Sequence, residues 1–496
     1  MNSGGTCEAM VKEAEQFETL GQIPEAVAAY ERLLANWPGL TNCWYNLARL
    51  QRSTGDFAAA LASYAEALER GIAQPEEVHL NRGVILSDCL HRYAEAEREL
   101  DKALALNPVY VPALMNLANL HEDLGRRDRA AAVYSRLLEL APEEPQAIAR
   151  YAGLKDFSQL DDPLIARLRG VLAKPGTSAA DLASVEFALG RALDACNAHD
   201  EAFAVYRTAN RHSRESAGPS FRDYDLALAE RFVDEVKAAF PAASMVGEKR
   251  TAGTPQTASP QPIFVCGMFR SGSTLAEQLL GAHPRVETGG ELDLVPRLVQ
   301  THLAPFPESI ASVSPATWQA LAAEYLERLR SLFPQAAFVT DKRPENYVYI
   351  GLVKQLFPGA KIIHTTRDAL DNCLSIYFLH LDQSMSYALD LMDIGHHYLQ
   401  YLRLMAHWKS LFGADILDLQ YDALVKEPQP QIAHLLDFLQ LDWDDRCLAV
   451  PATGRAVRTA SVWQVREPLY QRSSGRSRHY ERQLRTLREY LERMRP

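Results

Sequence analysis

Apolar and polar positions over the first 150 residues alternate with helical spacing, and the pattern recurs. Gly21, Gly55 and Gly125 stand between helix-like stretches, 34 and 70 residues apart, one and two periods of about 35. Ala26, Ala60, Ala96 and Ala130 follow the turns, Tyr30, Tyr64 and Tyr134 come four residues later, and Pro38, Pro108 and Pro142 close their units. Small alanines let paired helices approach, aromatic rings fill the gap between pairs, and proline ends a helix because it has no N–H to donate. The third unit is irregular, with Leu90 and His91 where the glycine is expected, and a divergent fifth unit over residues 186–210 repeats the pair Ala202 and Tyr206. After Phe240 the stretch "PAASMVGEKRTAGTPQTASPQP" has no periodicity and reads as a linker over 241–261. From residue 262 short apolar runs alternate with helix-like ones: "PIFVCGM" then "STLAEQLLGAH", "AAFVTDK" then "YIGLVKQLFP", "AKIIHTTR" then "DALDNCLSIYFLH", "ADILDLQYD" then "QPQIAHLLDFLQL". That alternation predicts βαβ units and a mostly parallel sheet covered by helices.

The first block resembles the tetratricopeptide repeat, with four units over residues 7–150 and divergent helices over 151–240. The expected fold class is α + α/β: a tetratricopeptide-type helical solenoid over 7–240, then a P-loop-like α/β domain over 262–496, with ligands at the carboxyl ends of the strands.

Composition narrows the function classes. The 496 residues carry a net charge of −11, which argues against a general nucleic-acid binder, because such surfaces are basic. The N-terminus shows neither the basic nor the apolar region of a signal peptide, and no apolar run is long enough to span a bilayer. Seven dispersed cysteines without a CxxC suit reduced thiols, so a cytoplasmic location is expected. The histidines show no HExxH or HxH and no cysteine partner at metal spacing, so no metal is expected.

The chemistry concentrates in a few stretches. In "FVCGMFRSGSTLAEQLLGAHP" a strand turns into a helix start through Arg270, Ser271, Gly272, Ser273 and Thr274, aiming backbone N–H groups and the positive helix end at one spot. Gly267 and Gly272 have the spacing of an ATP-binding loop, but Ser273 replaces its lysine, which disfavours a nucleoside triphosphatase. The plainer alternative is a serine-rich helix cap. In "AKIIHTTRDALDNCLSIYF" Arg367 ends a strand and Ser375 follows in the next helix; a strand-end salt bridge with Asp368 is the alternative. "HPRVETGGELDL" sets Glu291 behind two glycines that let the backbone pass close to a ligand, with Asp293 as the rival carboxylate. "FVTDKRPENYVY" places Lys342 and Asn346 at another strand-to-helix junction. From Ala452 to Pro496 eleven arginines face four glutamates, a basic tail on an acidic chain.

The "RSGSTL" loop resembles the 5′-phosphosulfate loop of sulfotransferases, and residues 262–480 resemble the tyrosylprotein sulfotransferase branch; the whole chain is similar to bacterial proteins that join tetratricopeptide repeats to a sulfotransferase domain. The resemblance implies transfer of a sulfuryl group from 3′-phosphoadenosine 5′-phosphosulfate (PAPS) to an acceptor hydroxyl without a metal, leaving adenosine 3′,5′-bisphosphate. It implies that Arg270 to Thr274 bind the 5′-phosphosulfate and Arg367 with Ser375 the 3′-phosphate. It makes Glu291 the general base and gives Lys342 the charge on the leaving oxygen. It adds Tyr421 in "LDLQYDALVKEP" and a closing loop with Ser461, Gln464, Arg466, Pro468, Gly475, Arg476 and Tyr480. A tyrosine of a protein or peptide, held by the repeats, is the leading acceptor; a small molecule or saccharide and an inert repeat scaffold are the alternatives. No nucleic-acid or membrane partner is expected, and a homodimer stays open.

Overall fold

The computed structural model describes residues 6–242, 260–448 and 474–495. They form two compact units, one ending at Lys155 and the other beginning at Asp156.

The first unit is a run of paired helices that starts with Cys7–Thr19 and Ile23–Asn36 and ends with Pro145–Leu154. The repeating alanines Ala26, Ala60, Ala96 and Ala130 are fully buried, and Tyr30, Tyr64 and Tyr134 are at most 1% exposed. Gly21, Gly55 and Gly125 all take positive φ, between 68° and 83°, at the turn inside each pair. In the third unit His91 takes that place with φ 54°. Ala60 and Ala96 are 36 residues apart where the other neighbours are 34 apart, and the π turn Ile85–Cys89 absorbs part of the excess.

The second unit contains a five-stranded parallel sheet: β1 (Gln261–Gly267), β2 (Val286–Thr288), β3 (Phe338–Lys342), β4 (Ile362–Thr366) and β5 (Ile416–Gln420), in the order β2-β3-β1-β4-β5. Alternation along β1 sends Ile263 and Val265 into an apolar layer with Leu275, Leu279 and Leu435, from helices Ser273–Gly281 and Pro428–Phe438. Phe264 points the other way, its ring 6.0 Å from Tyr325 and 6.3 Å from Phe357. With both faces covered, β1 is a nearly continuous apolar run, and β3, β4 and β5 each begin with two apolar residues, which made them readable. The α/β fold and mostly parallel sheet agree with the expected class.

The division at 155/156 leaves helices Pro163–Leu172, Ala179–Ala195, His199–Glu215 and Leu226–Ala239 in the same unit as the sheet, whereas the sequence reading grouped 151–240 with the repeats. Packing gives the reason. Tyr206 stacks on Phe378 at 3.8 Å, Asn210 Nδ2 donates to the Tyr377 carbonyl at 2.9 Å, and Phe240 meets Trp408 edge-on at 5.7 Å. The stretch read as a linker therefore joins two parts of one unit; its residues 243–259 lie outside the described residues. The fifth, divergent repeat is a helix pair whose turn is made by Asn197 at φ 61°, with Ala202 and Tyr206 buried. Among the described residues, no helix is long and apolar enough to cross a membrane.

Candidate active site

All five strands run the same way, so the segments that leave their carboxyl ends gather along one edge of the sheet. Arg270 follows β1, Gly289 to Glu291 follow β2, Lys342 closes β3, Arg367 follows β4 and Tyr421 follows β5. The chain leaves β1 toward β3 and β2 on one side, while β4 and β5 extend the other, so β1 ends at the topological switch where such sheets bind ligands.

The loop after β1 is held by tight backbone approaches. Gly267 has φ 155°, and a Cβ there would lie 2.4 Å from the Thr365 carbonyl oxygen; Gly272 has φ 101°, and a Cβ would meet the Tyr421 ring at 2.6 Å. Arg270 itself takes φ 70°, unusual for a residue with a side chain. Ser271 is buried and its hydroxyl shares a hydrogen bond of 2.7 Å with the Thr365 hydroxyl. Ser273 and Thr274 open the helix Ser273–Gly281, whose N-terminus has no side-chain cap. Its first-turn N–H groups thus face the loop without an intrahelical acceptor.

Three guanidiniums converge beside it. Arg270 Nε donates to Ser375 Oγ at 3.2 Å, and Arg367 Nη1 donates to the Arg270 carbonyl at 3.4 Å. Arg367 lies over the Tyr421 ring, 5.1 Å from its centroid. Loss of water pushes the Arg270 guanidinium down to about 10, and the like charges of Arg367 and Arg476 add to that shift. Mutually repelling cations at an uncapped helix N-terminus suit a multiply charged anion. The sequence reading paired Ser375 with Arg367; the structure gives its hydroxyl to Arg270. Gly475 at φ 76° and Arg476 belong to a segment fastened by Asp371, whose two oxygens accept from Gly475 N at 2.5 Å and Ser477 N at 2.7 Å. Ser461, Gln464, Arg466 and Pro468 lie outside the described residues.

One strand over from β1, Lys342 Nζ donates to Glu291 Oε1 at 2.7 Å, with the lysine side chain 2% exposed and the glutamate 39%. The loop that carries Glu291 is pinned from below by Glu277. Its Oε1 accepts from Gly290 N at 2.9 Å and from the Thr340 hydroxyl at 2.6 Å, while burial pushes its carboxyl up. A Cβ at Gly289 would lie 2.1 Å from the Thr340 carbonyl oxygen, which explains the first glycine of the pair. Asp293, the rival carboxylate, is exposed and precedes the helix Leu294–His302. Asn346 is buried and donates to Asp341 Oδ1 and to its carbonyl, both at 3.1 Å. It thus braces the strand end that bears Lys342.

Sequence reasoning missed Glu277, Asp341 and Asp371. For Glu277 the available signal was a carboxylate inside an otherwise apolar helical run, "STLAEQLL"; Asp341 and Asp371 each stand beside polar residues and give no such signal. Among the described residues, no group of three or more histidine, cysteine, aspartate or glutamate side chains is arranged to hold a metal ion.

Residues 262–445 match the sulfotransferase family model, and residues 11–77 and 90–145 match the tetratricopeptide repeat. An uncharacterized protein of Aquifex aeolicus is 31% identical over 455 residues, which cover 87% of this chain and 57% of that protein. Protein-tyrosine sulfotransferase A of Caenorhabditis elegans is 26% identical over 206 residues, 38% of this chain and 51% of the relative. The chain thus spans little more than half the length of either relative. The sulfotransferase domain of the Synechococcus PCC 7002 olefin synthase aligns with a TM-score of 0.35 at 20% identity, over 48% of this chain and 97% of that domain.

Proposed function

We propose that this chain, a tetratricopeptide-repeat protein fused to a sulfotransferase-family domain, moves a sulfuryl group from PAPS to an acceptor hydroxyl. The observation that carries this reading is the cluster of Arg270, Arg367 and Arg476 at the uncapped start of helix Ser273–Gly281, a place with cationic donors enough for a nucleotide bearing two separate phosphate groups. PAPS supplies an activated sulfuryl group on the 5′-phosphate when bound. Ser271, Gly272, Ser273 and Thr274 would hold that phosphosulfate through backbone N–H groups and hydroxyls, with Arg270 beside them. Arg367 and Ser375 would take the 3′-phosphate, with Tyr421 stacked under the arginine.

Glu291 is the proposed general base, because it is the half-exposed carboxylate at the strand edge and an ammonium is its immediate neighbour. A phenol has a pKa near 10 and needs such help at neutral pH. Lys342 then offers its charge to the oxygen that the leaving nucleotide keeps. Two observations support a tyrosine of a protein or peptide as the acceptor: the match to relatives named protein-tyrosine sulfotransferases, and repeats of a kind that present long surfaces to peptides. The dispersed cysteines, none of them in a disulfide, support a cytoplasmic setting.

Calorimetric titration of the full chain with adenosine 3′,5′-bisphosphate, and separately with ATP and magnesium, tests the donor site. The expected result is tight bisphosphate binding, little ATP binding, and at least a tenfold loss of bisphosphate affinity in Arg367→Ala. No bisphosphate binding by the unaltered protein would refute the donor reading and return the weight to a repeat scaffold.

A further inference from the structure

The three guanidiniums of the site do not have the same support. Arg270 and Arg367 belong to loops of the sheet, within the span matched by the sulfotransferase family model. Arg476 comes from a distant segment, and its Nη2 donates to Asp194 Oδ2 at 2.6 Å across 282 positions of the sequence. Asp194 lies in the last turn of helix Ala179–Ala195, ahead of that matched span. Its other oxygen accepts from the Tyr480 hydroxyl.

Both partners are largely shielded, with side-chain exposures of 27% for Arg476 and 18% for Asp194. Arg476 is also seated over the Phe378 ring, 5.0 Å from its centroid, and Tyr206 of helix His199–Glu215 stacks on that same ring at 3.8 Å. A long cationic side chain placed near two like charges gains by swinging into water unless a counter-charge and a packed surface hold it. Here one carboxylate and two rings supply both. A guanidinium has five N–H donors in a rigid fork, so the bond to Asp194 fixes its orientation and leaves donors for a phosphate.

We infer that Asp194 is a positioning residue of the donor site: acting through Arg476, the helix pair Ala179–Ala195 and His199–Glu215 sets the affinity for the nucleotide's phosphates. The inference rests on the donor reading above. Its opposite is equally concrete, since a carboxylate could compete with phosphate for the guanidinium, in which case removing it would tighten binding.

A double-mutant cycle separates these outcomes, with adenosine 3′,5′-bisphosphate titrated calorimetrically into the full chain and into Asp194→Asn, Arg476→Ala and the double variant. Asp194→Asn is expected to weaken binding about tenfold, the scale of a hydrogen bond to a charged group, and to add nothing in the Arg476→Ala background. Asp200→Asn removes an exposed ion pair between the same helix pair and the C-terminal segment, that with Arg482 Nη2 at 2.8 Å, while keeping Asp194, and is expected to bind within about twofold of the unaltered protein. Unchanged or tighter binding in Asp194→Asn, losses that multiply in the double variant, or a tenfold loss in Asp200→Asn would each overturn the inference while leaving the donor site standing. An unaltered chain that fails to bind the bisphosphate would overturn the donor reading and this inference with it.

Discussion

Glu291 and Lys342 hold each other across 2.7 Å, so the proposed base and the proposed charge-stabilising group form one unit before any acceptor arrives. Replacing Glu291 by alanine leaves a nearly buried ammonium without its partner, a change that costs stability as well as chemistry. Glu291→Gln is therefore the cleaner variant, because an amide oxygen still accepts from Lys342. It is expected to keep bisphosphate affinity within about twofold and to lower sulfuryl transfer to a tyrosyl peptide by about 10² to 10⁴, the usual contribution of a positioned base. Unchanged turnover, measured by bisphosphate release, would remove Glu291 from the mechanism. The placement of Arg270, Glu291, Lys342 and Arg367 at the carboxyl edge of the sheet was legible in the sequence, because each closes a strand or stands shortly after one, so local alternation fixes its address; their roles are the proposal above. Glu277 and Asp371 were not legible, because their partners, Gly290 and the backbone of Gly475 and Ser477, are brought in by the fold.

At the scale of the element, the repeat helices show how much a pattern tells and where it stops. The glycine turns and alanine contacts were readable from spacing alone. The π turn at Ile85–Cys89 was not, because it depends on how two extra residues are absorbed between fixed contacts. The same unit carries a buried ionic cluster: Glu99, 6% exposed, accepts from Arg82 Nε and His79 Nδ1, both at 2.8 Å, and from Lys102 Nζ at 2.9 Å. Burial alone would push its carboxyl up, but the bonds from His79, Arg82 and Lys102 outweigh burial and hold it well below the usual carboxylate range. A depressed carboxyl contributes stability above its unfolded value, near 4.3, and that contribution disappears as pH falls toward the folded value. Thermal melting followed by circular dichroism is expected to show Glu99→Gln less stable than the unaltered chain at pH 7, with the gap narrowing steadily below about pH 4.3. A gap that stays constant with pH would show that Glu99 acts by packing alone.

For the whole molecule, the sequence made the order of parts legible but misplaced the join, since a proline-rich stretch reads as a boundary whatever packs on either side of it. The ring contacts of Tyr206 with Phe378 and of Phe240 with Trp408 bind residues before that stretch to residues after it. A fragment of residues 261–496 would expose Phe378, Trp408 and Tyr480 to water, whereas one of residues 156–496 keeps their partners. The shorter fragment is expected to aggregate and to lose a cooperative melt, and the longer to run as a discrete species on size exclusion and unfold in one transition. A well-behaved shorter fragment would mean that the helix pair is dispensable for folding. The Asp194–Arg476 pair then bears on inheritance. A recombination event that carried only the family-matched span into another gene would deliver the sheet without Arg476 or its anchor Asp194; a transfer that kept the pair would have to take in the second compact unit on both sides of that span.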